Sequence, residues 1–453
     1  MPITANCPAC GKRHKAPDRL AGREVACLNC GQSFTIPQPD VEDAAAAVLD
    51  AGEPAETTAP DAEPERTYEP APASRARPVA RRRVPDVATL PPLTTNDPPL
   101  WLRHLHWLLA LALIPLIVSL SSSSSEEDSI PARIQQTLEK ATPGEQQRIL
   151  SALSDHSSLD DVINALPDHR VIGALFPRTT WAHWGLAAAA TVLFLAFMMF
   201  LASDGSAQPL HVLVVGLITA TLGVGFLLLV QMLAALTRGF VIIGGSVVAL
   251  LFYVLKFIAF SYDAASDPDN GYFLSFLGFT MGVGLCEELV KAIPLFWHRN
   301  EEGGSTWRGL FIWGLASGAG FGIAEGIIYS SRYYNGISGP GMYAVRFLSC
   351  VALHAIWSGS VAITLYLKRD MFNHIDTWHD WIGPVLFVIG VPMILHGLFD
   401  TCLKKDLNAA ALVVALLSFG YLAFLNSRLR GTDDEEARRE MLREYKRRRA
   451  AMS

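Results

Sequence analysis

The sequence predicts an all-α polytopic membrane protein with about eight to nine transmembrane helices, preceded by a small cysteine-bearing unit. Of the 453 residues, 51% are hydrophobic and 18% are charged, whereas soluble proteins carry about 25% charged residues. The apolar residues concentrate between 101 and 425, in runs of roughly twenty residues, the length needed to cross about 30 Å of hydrocarbon. These two observations exclude an ordinary soluble protein.

The first unit, residues 1–37, is predicted to be a zinc ribbon. It contains two Cys-x-x-Cys pairs, each followed by glycine, and the four predicted zinc ligands are Cys7, Cys10, Cys27 and Cys30. Paired cysteines at this separation are typical of a structural four-cysteine zinc site. Gly11 and Gly31 permit the positive φ of a tight knuckle. Two disulfides or a redox pair are the alternative, which a reducing cytoplasm argues against.

The ribbon is expected to lie in the cytoplasm, because no signal peptide precedes its cysteines. A unit this small cannot fold on apolar burial alone, so zinc would supply its stability. Its ligand cannot be identified from the sequence. A protein-docking role and contact with nucleic acid both stay open, and nucleic acid is not specifically indicated.

A linker and a first transmembrane helix follow the ribbon. Residues 38–99 are rich in Ala, Pro and acids, with few large apolar residues to bury, so they are predicted to be disordered. An arginine cluster, 75–83, closes this linker. Arginines so close to a span favour the cytoplasmic side and can contact anionic lipid headgroups of the bilayer. The first predicted transmembrane helix is 101–120.

A polar helical insert, 121–180, separates the first helix from the membrane core. Thr142 with Glu145, and Ser158 with Asp161, have the spacing of capping boxes, so short helices are expected there. Its acids outnumber its basic residues, as expected for an extracytoplasmic loop.

The membrane core covers 181–426, and a charged tail helix, 427–453, is expected in the cytoplasm. The core contains eight apolar runs: 181–201, 208–236, 240–260, 272–297, 309–330, 343–367, 382–402 and 409–425. Together with 101–120 these give nine spans in the inner (plasma) membrane. Nine spans place the chain ends on opposite sides, yet arginines flank both ends. Either one segment is re-entrant or one assigned loop is wrong.

Ionisable residues inside apolar spans are costly and usually functional. The first group is Glu287, Glu288 and Lys291. Glu287 and Lys291 share a helix face at i, i+4, so a structural ion pair accounts for those two but leaves Glu288 unexplained. Two adjacent carboxylates in a membrane repel each other unless a proton, a metal or another cation lies near.

The next three spans also carry ionisable residues. Glu325 lies one turn after Phe321 in a run of Gly and Ala that allows close helix packing. His354 shares a helix face with Ser358, and an isolated intramembrane histidine is often only an interhelical hydrogen-bond donor. Arg346, near the start of the same span, is expected at the membrane interface.

The fourth group is His396 and Asp400, again at i, i+4. This spacing lets a carboxylate orient an imidazole, or lets both hold one metal. Each group alone has a structural explanation, but four groups on consecutive spans do not share one easily.

These groups resemble, in the same order, the motifs of the PrsW intramembrane proteases: Glu287-Glu288-x-x-Lys291, Phe321-x-x-x-Glu325, His354 with Ser358, and His396-x-x-x-Asp400. The resemblance covers about 240–425 and none of residues 1–180. In CAAX-type relatives a histidine stands in place of Glu325, and the basic partner of the Glu pair differs from Lys291. Both departures favour the PrsW branch and weaken any transfer of prenyl-protein substrates.

The resemblance implies hydrolysis of a peptide bond in or beside a membrane helix of a membrane-protein substrate. Glu287 or Glu288 would be the general base, helped by His354. His396 and Asp400 would orient the water or stabilise the oxyanion.

Glu325 would complete the polar shell, and Lys291, Phe321 and Ser358 would support it. The same acids and imidazoles could hold a catalytic zinc. No HExxH motif occurs, so a metal is not required.

PrsW relatives are linked to cleavage of membrane-spanning anti-sigma factors, which implies a regulatory substrate that the ribbon and linker could recruit. Two alternatives stay open. An ion- or proton-coupled transporter also carries intramembrane relays, but would show related halves, and here the charged spans all lie in the second half. A non-catalytic sensor with a zinc-ribbon head would tolerate substitution of the polar residues.

Overall fold

The computed structural model describes residues 3–6, 8, 10–11, 13–16, 24–26, 32–35, 104–122, 130–154, 158–202, 207–299, 306–372, 375 and 377–429. The chain divides into two compact units, Met1–Leu90 and Pro91–Ser453.

The first unit contains two antiparallel β-hairpins. Strand β1 (Ile3–Asn6) pairs with β2 (Arg13–Ala16), and β3 (Glu24–Ala26) pairs with β4 (Ser33–Thr35). The predicted positive φ at Gly11 is confirmed at +69°. Cys10 is exposed, whereas Cys7, Cys27 and Cys30 lie outside the described residues, so the zinc ribbon stays a prediction. All of the predicted linker and most of the predicted tail helix also lie outside them.

The second unit begins with helix α1 (His106–Ser122) and three short helices of the insert. These are α2 (Ile130–Lys140), α3 (Pro143–Ser154) and α4 (Leu159–Ala165). The predicted capping box of Ser158 and Asp161 is confirmed at the start of α4. The Thr142 amide and hydroxyl both donate to Glu145, at 2.8 and 2.7 Å.

In the part of the chain that the structure describes, eight helices are long and apolar enough to cross a membrane, and all eight predicted core spans correspond to them. They are α5 (Ala182–Leu201), α6 (Pro209–Leu236), α7 (Val247–Ser266), α8 (Tyr272–Trp297), α9 (Trp307–Tyr334), α10 (Pro340–Leu367), α11 (His379–Lys404) and α12 (Asn408–Arg428). Prolines open α6 and α10, where their missing N–H is unneeded. The Thr306 hydroxyl caps α9 by accepting from the Gly309 amide at 3.1 Å.

The remaining predicted span, 101–120, corresponds to α1, which is shorter and contains Pro115. The side chain of His104, just before α1, contacts the ring of Phe200 at the end of α5, with ring centroids 4.7 Å apart. Further along α1, the Leu111 carbonyl accepts from the Ser349 hydroxyl at 3.4 Å. Helix α1 therefore packs along the bundle, antiparallel to its neighbours α5 and α10.

The parity conflict has a geometric resolution in α6 and α7. Arg238, just after α6, pairs with Asp263 near the end of α7 at 2.5 Å. Gln231 donates to the Tyr262 hydroxyl at 2.8 Å. The two helices therefore run in the same direction, and the connecting segment 237–246 returns alongside α7, where Lys256 donates to the Phe240 carbonyl at 2.7 Å. Because of this return, α1 begins and α12 ends at the same end of the bundle.

Helices α9 and α10 form the centre of the bundle because glycines on α9 let the two backbones meet. A Cβ on Gly314 would lie 2.6 Å from the Ser358 carbonyl oxygen, and one on Gly322 would lie 2.9 Å from the Cα of Val351. Close approach of this kind is the usual role of small residues between membrane helices. Helix α10 is consequently the most buried span, and Glu325 on α9 faces His354 on α10.

The insert packs on the short loop between α9 and α10. The Val171 amide donates to the Gly336 carbonyl at 2.9 Å, and the Gly336 amide donates to the Phe176 carbonyl at 2.8 Å. Arg178 pairs with Asp160 within the insert and donates to the Asn335 carbonyl at 3.4 Å. The insert is thus a folded cover on one end of the bundle.

Candidate functional site

Helix α8 supplies two carboxylates and one ammonium to the buried interior. A π-helical turn, Phe279–Gly284, precedes them, and such turns are frequent near functional sites. Lys291 Nζ lies 2.8 Å from Glu288 Oε1 and 3.5 Å from Glu287 Oε2. The predicted ion pair of Glu287 and Lys291 is therefore present, and Lys291 also contacts Glu288, which is the closer of the two carboxylates.

Helices α9 and α10 add a carboxylate and an imidazole. Glu325 Oε2 lies 2.9 Å from His354 Nε2. The other ring nitrogen of His354, Nδ1, lies 2.7 Å from Lys291 Nζ. An ammonium can only donate, so Nδ1 accepts and Nε2 carries the proton that Glu325 accepts. Phe321 lies beneath this contact, with its ring centroid 4.5 Å from Lys291 Nζ.

Helix α11 closes the cluster from the fourth side. His396 Nδ1 lies 3.1 Å from Glu288 Oε1. Its other nitrogen, Nε2, lies 3.4 Å from Asp400 Oδ2 and 3.6 Å from Glu287 Oε2. Asp400 is the most exposed of the four acids, at 26% of its side-chain surface, so the cluster opens beside it.

Six predicted residues and Lys291 therefore converge, and we call these seven the polar cluster: Glu287, Glu288, Lys291, Glu325, His354, His396 and Asp400. Phe321 packs against it. Ser358 is buried, and its hydroxyl has no hydrogen-bond partner among the described residues. No hydrogen bond therefore joins that hydroxyl to the polar cluster.

Two residues of the site were not predicted from the sequence. Arg346 was expected at the interface, but its side chain is only 12% exposed and its Nη2 lies 2.6 Å from Glu325 Oε1. The indole of Trp357 stacks on the His396 ring, with centroids 4.3 Å apart, and donates to the Ser418 hydroxyl at 3.0 Å. Trp357 is one helical turn after His354, and that spacing was the available signal.

Three members of the polar cluster have the geometry of metal ligands. One ligand-type atom from each of Glu287, His354 and His396 lies within 4.8 Å of the other two. Among the described residues, Oε2 of Glu287 and Oε2 of Glu288 are buried without a hydrogen-bond partner, and Glu287 Oε2 is 3.5 Å from Lys291 Nζ. Buried carboxylate oxygens are normally paired, so these two are available to a cation or a water.

Comparison with known proteins agrees with this geometry. Residues 231–425 match the model of the PrsW family of intramembrane metalloproteases. Searches of curated proteins and of solved structures find no match. The matched segment contains the complete polar cluster.

Residues 231–425 are thus similar to a family of intramembrane proteases, and the protein is an enzyme with a multi-pass membrane core. This assignment favours the protease over the transporter and sensor alternatives.

Proposed function

We propose that this PrsW-family protease hydrolyses a peptide bond in or beside the transmembrane segment of a membrane protein, and that the polar cluster is its hydrolytic centre. The observation that carries the proposal is the convergence of Glu287, His354 and His396 within 4.8 Å, from three helices, beside two carboxylate oxygens that have no hydrogen-bond partner among the described residues. Charges at this depth of a bundle persist in general only where they serve a function.

A divalent cation fits the charges of the site. Four carboxylates (Glu287, Glu288, Glu325 and Asp400) face two basic side chains, Lys291 and Arg346. When all are ionised, the difference is two negative charges, which one divalent cation would neutralise. Glu287, His354 and His396 would hold that cation, a set of one carboxylate and two imidazoles that suits zinc. Such an ion acts as a Lewis acid and makes bound water nucleophilic near neutral pH.

Glu288 is the general base in this proposal. Its Oε1 is fixed between Lys291 at 2.8 Å and His396 at 3.1 Å, and its Oε2 has no partner among the described residues. A carboxylate held by one oxygen presents the other to a water in a defined orientation. Glu288 would take the proton from the attacking water and return it to the leaving amine, so that the water oxygen joins the new carboxyl group.

His396 and Asp400 lie where the cluster opens, and the substrate carbonyl would approach there. The Trp357 ring limits rotation of His396 by stacking on it. Asp400, near its Nε2, orients the imidazole from the other side. Lys291 balances the carboxylates and can stabilise negative charge that develops on the substrate oxygen.

A metal-free, glutamic mechanism is the second candidate, and one observation favours it. Both ring nitrogens of His354 already have partners, Lys291 and Glu325. A cation on His354 would have to replace one of these contacts. Metal removal separates the two mechanisms, because only the first loses activity with a chelator and recovers it with added zinc.

Sidedness follows from charge and helix direction. The basic residues Lys368 and Arg369, after α10, and Arg428, at the end of α12, lie at the end of the bundle where α1 begins. Positive charge near spans favours the cytoplasm, so both chain ends and the predicted ribbon would be cytoplasmic in the plasma membrane. Cysteines introduced at Glu139 and Lys368 should react with a membrane-impermeant thiol reagent only from outside and only from inside, respectively.

The substrate would be a regulatory membrane protein with a single span, of the anti-sigma-factor kind. The test incubates the purified full chain in detergent with a library of single-span peptides. We expect at least one peptide to be cleaved by the wild type and not by Glu287→Gln or Glu288→Gln. The matched control is Asp263→Asn, which removes an acid of the exposed ion pair with Arg238. Full cleavage by Glu288→Gln would contradict the assignment of the base.

A further inference from the structure

We propose that Arg346 is a positioning residue of the hydrolytic centre, acting through Glu325 on His354. This inference rests on the proposed function of the polar cluster. It concerns a residue whose place in the sequence suggested only a membrane-interface anchor.

The first observation is that Glu325 contacts both Arg346 and His354. Arg346 Nη2 lies 2.6 Å from Glu325 Oε1, and His354 Nε2 lies 2.9 Å from Glu325 Oε2. The carboxylate therefore bridges the guanidinium and the imidazole, with one oxygen for each. Because a carboxylate is planar, fixing Oε1 also fixes Oε2, and so sets the plane and the protonated nitrogen of His354.

The second observation is that other contacts hold the guanidinium of Arg346 in place. Its guanidinium carbon lies 3.7 Å from the ring centroid of Tyr329, a cation–π contact. Another guanidinium nitrogen, Nη1, lies 3.6 Å from Cys350 Sγ. The residue belongs to a π-helical turn, Val345–Cys350, and such turns in helices frequently mark functional sites. Arg346 is thus immobilised on three sides.

A merely structural salt bridge between α9 and α10 is the competing explanation. The two helices are already in backbone contact through Gly314 and Gly322, so the Arg346–Glu325 pair is not needed to join them. A buried arginine in a membrane bundle also costs free energy that a well-packed apolar pair would not. Orientation of His354 is the gain that offsets this cost.

The test measures kcat and KM of Arg346→Lys, Arg346→Gln and Glu325→Gln on the library peptide that the wild type cleaves fastest. Lysine keeps the charge but loses the planar fork. We expect kcat to fall roughly tenfold in Arg346→Lys and about 10- to 100-fold in Arg346→Gln, the range typical of residues that orient a ligand. KM should change little, because Arg346 contacts no substrate in this account.

A double variant shows whether Arg346 acts through Glu325. Glu325→Gln/Arg346→Gln removes both buried charges, so it leaves neither charge unpaired. If Arg346 acts only through Glu325, the double variant should turn over no more slowly than Glu325→Gln alone. The control is Arg238→Gln, which removes an exposed arginine from an ion pair elsewhere in the bundle and should keep wild-type kcat.

Three results would overturn the inference. The first is a wild-type kcat in Arg346→Lys or in the folded fraction of Arg346→Gln. The second is a loss in the double variant equal to the product of the two single losses. The third is a wild type that cleaves no peptide, in which case the proposed function fails and the inference fails with it. The first two results, by contrast, would show that the inference alone is wrong.

Discussion

Two buried polar clusters occupy the same helix bundle and differ in their charge and in their hydrogen bonding. The polar cluster is charged, and two of its carboxylate oxygens lack hydrogen-bond partners among the described residues. The second, which we call the loop cluster, consists of His183, Asn335 and Tyr343 and is neutral. Asn335 accepts from the Tyr343 hydroxyl at 2.8 Å and donates to His183 Nδ1 at 3.1 Å.

The difference separates structure from chemistry. In the loop cluster, the oxygen and the nitrogen of the Asn335 amide each have a hydrogen-bond partner. The cluster therefore joins the α9–α10 loop to α5 and needs no ligand to satisfy this amide. In the polar cluster, acids outnumber bases and two carboxylate oxygens have no hydrogen-bond partner among the described residues, so a cation, a water or a substrate can bind there. Buried polar groups are normally satisfied, and an unsatisfied cluster therefore indicates a binding site.

The largest expected effect comes from exchanging one histidine in each cluster for glutamine. His396→Gln should lower kcat by a factor on the order of 10³ or more, because it removes a ligand and a partner of Glu288. His183→Gln should leave kcat near that of the wild type. Peptide cleavage, normalised to folded protein by size-exclusion chromatography, checks both. Equal losses in the two variants would remove the distinction between the clusters.

The stacked indole of Trp357 gives a smaller effect. Trp357→Leu should lower kcat roughly 10- to 100-fold, as loss of an orienting group does, because His396 loses its stacking partner. Ser418→Ala is the control, since it removes the hydrogen bond from the indole but keeps the stack. A kcat in Ser418→Ala as low as in Trp357→Leu would show that the hydrogen bond, not the stack, matters.

Substitution in the loop cluster should change stability rather than catalysis. Asn335→Ala leaves the Tyr343 hydroxyl without its acceptor and should lower the free energy of unfolding by about 1–3 kcal/mol. Cleavage per folded molecule should stay unchanged. Reversible unfolding in mixed micelles of dodecyl sulfate measures the first quantity. A variant that keeps its stability but loses cleavage would place the loop cluster in the catalytic machinery.

The smallest effect is expected at Ser358. Its buried hydroxyl has no partner among the described residues, so Ser358→Ala should stabilise the fold by up to about 1 kcal/mol, with kcat unchanged. This position was predicted to support the site on the basis of its spacing from His354. A tenfold or greater loss of kcat would support the predicted role and contradict this expectation.

Much of the bundle was predictable because hydrophobic length sets membrane helices. All eight core spans were identified, and the largest shift was in α7, predicted at 240–260 and observed as Val247–Ser266. Glycines 244 and 245 interrupt the apolar run, and Ser246 caps the helix by accepting from the Ala249 amide at 3.3 Å. The parallel direction of α6 and α7 was not predictable, because the hydropathy pattern shows where helices lie in the sequence but not the direction in which each one runs.

The residues of the site were predictable where an ionisable side chain lies inside an apolar span, because such residues are rare there. All six proposed catalytic positions lie in one cluster, although their individual roles stay a proposal. Arg346 was missed because a position near a span end does not reveal which way an arginine points. Its direction depends on the register between α9 and α10, which brings Glu325 within 2.6 Å. Trp357 was missed because its spacing from His354 does not reveal that its ring stacks on His396 of another helix.

The central claim is that Glu287, His354 and His396 hold one divalent cation. The most direct measurement is the divalent-metal content of the purified full chain, by mass spectrometry of the elements, in the wild type, His396→Gln and His183→Gln. The predicted ribbon contributes equally to all three samples. We expect His396→Gln to contain one ion fewer per chain than the wild type and His183→Gln the same number. Equal metal content in the wild type and His396→Gln would contradict the claim.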